Sequence, residues 1–130
     1  MFANVMNQTE KEKFLELIYK IAQCDDEYSE EEEDLLNNYK IELGLQDVND
    51  TDTLEGLVNF FAVKSQELKK IVFFELYGMI MADRKIESKE KKLIELIETA
   101  FGLSEKQYQD IITVADELRN VYDKIYEVLF

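Results

Sequence analysis

Residues 19 to 45 recur at 77 to 103 with a constant offset of 58 and no gap. Tyr19 falls on Tyr77, Ile21 on Met79, Cys24 on Ala82, Asp25 on Asp83, Tyr28 on Ile86, Glu32 on Glu90, Leu35 on Leu93, Leu36 on Ile94, Tyr39 on Ile97, Leu43 on Phe101, Gly44 on Gly102 and Leu45 on Leu103. A self-match of this length constrains the fold more than composition does, because whatever the first unit forms the second must form again. Each unit reads as an apolar segment, a short charged turn, a second amphipathic segment and a Gly-Leu ending.

The spacing inside the units predicts helices. Phe14, Leu17, Ile18, Ile21 and Ala22 share one face at helical period, and so do Leu35, Leu36, Tyr39 and Leu43. Gly44 and Gly102 stand where a helix ends on a left-handed residue. The polar stretch 46–52 connects the units. Asp52 with Glu55 is expected to cap a short helix over 54–62, and Ser65 to start the long apolar helix that opens the second unit. No proline and four glycines in 130 residues leave little punctuation for sheets.

Beyond the repeats, Ser104 and Gln107 have capping-box spacing, and Ile111, Ala115, Leu118, Tyr122, Ile125 and Leu129 follow at intervals of four and three. This seam either covers the core left open by the two hairpins or pairs two copies as a coiled coil. The expected fold is a single all-α domain over 1–130. It consists of two pseudo-repeated helical hairpins, about 12–46 and 68–104, a short helix in their connection, and a long C-terminal helix over about 104–129.

The chain carries 15 Lys and Arg against 29 Asp and Glu, a formal charge of −14, which opposes contact with nucleic-acid phosphates or anionic lipid. Residues 1–65 hold 16 of the acids and 5 of the bases, so the acidity belongs to the first half. The apolar segment 71–82 is too short for a membrane span and contains Glu75, so it reads as a core helix. One cysteine, Cys24, allows no intramolecular disulfide, and the start MFANVMNQTEKEK has no basic-then-apolar leader pattern. A cytoplasmic location is the expectation.

With no histidine there is no imidazole base, no Ser-His-Asp triad and no His/Cys zinc site, and neither GxxxxGK[ST] nor GxGxxG occurs. Cys24 sits among carboxylates, which raise a thiol's pKa, and its repeat partner is Ala82. The chain therefore reads as a non-enzyme. The charged turns remain, 25–32 (DDEYSEEE) and 83–90 (DRKIESKE). Neither is an EF-hand: counting from Asp25, the sixth position is Glu30 and the twelfth Leu36; counting from Asp83, the third is Lys85 and the twelfth Ile94.

The turns resemble the signature Ala-Asp-Gly-x-Ile-x-x-x-Glu of the tellurite-resistance TerB-like domains, in which it joins two helices. The second unit matches as Ala82, Asp83, Ile86 and Glu90, and the first as Cys24, Asp25, Tyr28 and Glu32. Resemblance covers about 12–46 and 68–104. It implies an all-helical domain acting in tellurite or other chemical stress responses, some members within membrane-linked complexes, and a metal-related role for Asp25, Glu32, Asp83 and Glu90. The signature glycine is Asp26 in one turn and Arg84 in the other, a departure from the family pattern in both turns.

Capping alone explains the repeated residues. Asp25 and Asp83 can form Asx-turns, Ser29 with Glu32 has capping-box spacing, and carboxylates in a first turn are favoured by the helix dipole by about 0.3–1 kcal/mol each. It does not explain eight acids between Asp25 and Asp34, because a helix start offers only four orphan N–H groups. The second unit replaces Glu31, Glu33 and Asp34 by lysines. Asp26, Glu27, Glu30, Glu31, Glu33 and Asp34 are therefore the expected contacts for a protein partner with a basic surface. The leading expectation is an acidic TerB-like adaptor. The alternative is a Ca²⁺- or Mg²⁺-binding protein, or a metal-dependent enzyme, using the carboxylates of the two turns.

Overall fold

The computed structural model describes residues 1–23, 30–81 and 88–130. A single 3₁₀ turn at Ala3–Val5 precedes six α-helices among these residues: α1 (Gln8–Gln23), α2 (Glu30–Leu43), α3 (Leu54–Ala62), α4 (Gln66–Ile80), α5 (Ser88–Phe101) and α6 (Glu105–Leu129). No strand occurs among the described residues.

Local chemistry sets most of the helix ends. The Ser65 hydroxyl accepts the Leu68 N–H at 3.2 Å, and Ser104 and Gln107 form a reciprocal capping box. Asn7 and Glu10 make a second reciprocal pair that starts α1, each side chain accepting the other's backbone N–H at 2.9 Å. Helix α3 corrects one expectation: Thr53, not Asp52, is its cap, with the Thr53 hydroxyl accepting the Gly56 N–H at 3.0 Å. Asp52 is committed elsewhere. Its Oδ1 accepts the adjacent Thr53 N–H, and its own N–H is held by Glu16.

After α2 and α5 the chain turns through Gly44 (φ 68°) and Gly102 (φ 63°), a left-handed conformation that costs a residue with a Cβ roughly 1–2 kcal/mol. Lys69 of α4 donates to the Phe101 carbonyl at 2.8 Å, placing a cation on the negative end of α5.

The core is drawn from every helix. Phe14, Leu17, Ile18, Phe61, Phe73, Leu76, Ile97 and Phe101 are fully buried. The Phe14 ring meets Tyr39 edge-on at 5.6 Å and Phe61 at 6.4 Å, so one side chain joins α1, α2 and α3. Phe73 meets Tyr108 at 4.9 Å, joining α4 to α6. The Tyr108 hydroxyl donates to the Glu98 carbonyl at 2.6 Å and accepts the Leu103 N–H at 3.1 Å, which fixes the corner between α5 and α6.

Helix α1 lies against α2 and α3, α3 against α4 and α5, and α4 against α6. The C-terminal helix was expected to cross both hairpins; its principal partner is α4 alone. Its buried residues, Tyr108 and Ala115, both fall in the first half. The segment read as a core helix is one: Val72, Phe73, Leu76, Tyr77 and Ile80 of α4 are buried. Among the described residues, no helix is long and apolar enough to cross a membrane.

Candidate functional site

Of the residues singled out for metal or partner binding, Asp25, Asp26, Glu27 and Asp83 lie outside the described residues, as does the side chain of Glu31. The others are placed by α2 and α5. Glu30, Glu33 and Asp34 are exposed along the first turn and a half of α2, whereas Glu32 and Glu90 are half-buried. Their positions follow from helical phase: Leu36, Tyr39 and Leu43 turn inward, which leaves Glu33 and Asp34 on the outer side. Among the described residues, no three Cys, Asp or Glu side chains converge as a metal site.

Two carboxylates that sequence reasoning did not single out are buried. Glu75, 5% exposed in the middle of α4, accepts three donors. Its Oε1 takes the Met1 ammonium and the Phe2 N–H, both at 2.8 Å, and its Oε2 takes the Tyr39 hydroxyl at 2.5 Å. Glu42 joins the Met1 ammonium at 2.9 Å. Burial alone would lower the pKa of that amine, but the two carboxylates more than offset this and hold it above its ordinary value. Burial, and then the Glu75 charge, pushes the Tyr39 phenol far above the ordinary range, so Tyr39 is a fixed neutral donor.

Glu16, 1% exposed on α1, does the same for the connection between α2 and α3. Its Oε1 accepts the N–H groups of Thr51 at 2.7 Å and Asp52 at 2.9 Å. Lys13 pairs with Asp52 at 3.5 Å and Lys20 with Asp50, so α1 holds this acidic connection at three points. A sequence signal for both buried acids exists. Glu75 interrupts the apolar run IVFFELYGMIM, and Glu16 stands between Leu15 and Leu17.

Above Glu75 opens a cleft of about 420 Å³ between α2, α4 and α6. Leu35 and Tyr39 line it from α2, Phe74, Tyr77, Gly78 and Met79 from α4, and Leu118, Arg119, Tyr122 and Asp123 from α6. The wall toward α6 is ordered by a polar bridge: the Tyr77 hydroxyl donates to Asp116 at 3.0 Å, and Arg119 pairs with the same Asp116 oxygen at 3.2 Å. Burial and this carboxylate push the Tyr77 phenol up to about 12. At Gly78 a Cβ would meet nothing within 4 Å, so this glycine keeps a stretch of cleft wall open.

The cleft and the acidic turn of α2 are continuous in sequence. Leu35 lines the cleft, and the turn immediately before it presents Glu30, Glu33 and Asp34. Helix α2 thus gives an apolar side chain to the recess on one face and exposed carboxylates on another, since Glu30, Glu33 and Asp34 lie about 100–160° round the helix from Leu35 and do not line the cleft. The cleft itself was not foreseen, because it arises where three helices fail to close on one another.

These features define an all-α helical protein with a partly apolar interhelical cleft. No family model, curated protein or solved structure matches the chain.

Proposed function

We propose that this chain is a non-enzymatic TerB-like binding module that works in the cytoplasm as an acidic adaptor within a stress-response complex of the tellurite-resistance type. Its partner presents a basic amphipathic helix. The observation that carries the reading is the mainly apolar 420 Å³ cleft, one wall of which is the same helix α2 that exposes Glu30, Glu33 and Asp34 on another face. An apolar anchor fits the recess, and long Lys or Arg side chains of the same partner reach round α2 to its exposed acids, in the manner in which grooves hold amphipathic helices. The duplicated TerB-like turns support the family reading, and the formal charge of −14 supports a basic rather than an acidic partner.

The test uses a fluorescein-labelled amphipathic peptide with leucines at helical spacing on one face and lysines on the other, read by anisotropy. Saturable binding is expected, weakened at least tenfold by Gly78→Leu, which fills the cleft, and by the triple change Glu30→Gln/Glu33→Gln/Asp34→Asn. Binding indifferent to both variants contradicts the proposal. Binding that appears only with Ca²⁺ and is abolished by EDTA contradicts it in favour of the cation reading.

A further inference from the structure

Helix α6 is longer than the helix it packs on. Its 25 residues span about 38 Å, against about 22 Å for the 15 residues of α4. From Val121 onward every apolar side chain is at least two-fifths exposed: Ile125 is 42%, Tyr126 65%, Val128 82% and Phe130 94%. The surrounding fold accounts for Tyr108 and Ala115 but not for this end.

The pattern on the free end is specific. The seam that begins at Ile111 continues through Ile125 and Leu129, and beside it Val114, Val121 and Val128 recur at intervals of seven, all exposed. Two steps of seven drift only about 40° round a straight helix, so the three valines form one stripe along it. A second helix is an occupant that such a stripe fits. We propose that residues 121–130 of two copies of this chain pair through this face, forming a homodimer.

Area fits a second copy, and local charge opposes it only weakly. Scaled by their exposures of 42% to 94%, the side chains of this segment outside the cleft, Val121, Ile125, Tyr126, Val128, Leu129 and Phe130, present on the order of 700 Å² of mostly apolar surface, taking an aromatic ring at roughly 150–250 Å². That is close to the ~800 Å² per partner of a stable interface. Residues 111–130 carry 4 acids and 2 bases in a chain of charge −14, so this is a surface on which two acidic copies meet with little local repulsion. The basic partner proposed above is directed instead to the acids of α2. Tyr122 and Asp123 of this segment line the cleft, but Val121, Ile125, Val128 and Leu129 do not, so substitutions at Ile125 and Leu129 test the pairing without touching the cleft.

Sedimentation equilibrium at 10–100 μM in 50 and 500 mM NaCl tests this. The wild type is expected at twice its 15.4 kDa monomer mass, with dissociation several-fold weaker at the higher salt as the repulsion between copies is screened. Ile125→Glu/Leu129→Glu is expected to return the monomer mass. Both positions are exposed in the single chain, so helix content by circular dichroism should not change. A wild-type monomer at 100 μM in 500 mM NaCl overturns the proposal, as does a dimer that survives the double substitution. A monomer that binds zwitterionic vesicles through the same residues also overturns it.

Discussion

The hydroxyl of Tyr39 donates to Glu75 Oε2 at 2.5 Å across 36 residues of sequence, joining α2 to α4 at the floor of the cleft. A buried carboxylate is stable only while its lone pairs are used, and here the Met1 ammonium and the Phe2 N–H use the other oxygen. One side chain thus fixes three segments.

Tyr39→Phe should destabilise the protein by about 1–2 kcal/mol, and Glu75→Ala by about 3 kcal/mol, in urea unfolding. The double substitution should cost less than the two effects added, because each single change already breaks the shared hydrogen bond. Strict additivity would mean that the pair does not act as a unit.

Glu16→Ala orphans two backbone donors, and a loss of about 2–3 kcal/mol is expected. Hydrogen exchange gives the sharper reading. The amides of Thr51 and Asp52, which donate to Glu16, should lose protection well before those of α1, and Glu16→Gln should restore part of it.

Glycines separate by conformation. Gly44→Ala and Gly102→Ala should each lower stability by about 1–2 kcal/mol, since both need positive φ. Gly78→Ala, in the interior of α4 with open space at its Cβ, should be stabilising by about 0.5–1 kcal/mol. Thermal unfolding of the three variants checks the order.

The Tyr77 phenol, held up to about 12 by burial and by Asp116, gives a pH signature. Its ordinary value in the unfolded chain is about 10. The native state keeps a proton that the unfolded state releases above that value. The stability linked to Tyr77 is therefore complete below pH 10 and is lost as pH rises from about 10 to about 12. Absorbance titration near 295 nm should show a late-ionising tyrosine that moves earlier in Asp116→Asn.

Legibility in the sequence followed the range of the interaction. Ser65, Ser104 with Gln107, and the two helix-ending glycines act within four residues, and each does in the structure what its spacing indicates. Thr53 takes the place of Asp52 as the cap because α3 begins at Leu54, and Asp52 is held instead through its N–H by Glu16, 36 residues away, which no local window contains. The seam of α6 was visible as a period. Where it leaves the core was not, since that depends on the length of α4 and how the two helices align. The acids of α2 were visible as a charge run, but the cleft is a gap between three helices and has no sequence signature of its own.

In the proposed function, a basic amphipathic partner seats between α2, α4 and α6. The most direct measurement is a ¹⁵N-resolved titration of the protein with the lysine/leucine peptide. Shift changes are expected to concentrate at Leu35, Gly78, Leu118 and Tyr122, with Glu33 and Asp34 moving in parallel and all of them silenced in Gly78→Leu. Changes confined to α1 and α3, or spread evenly over the exposed acids with the cleft amides unmoved, would contradict it.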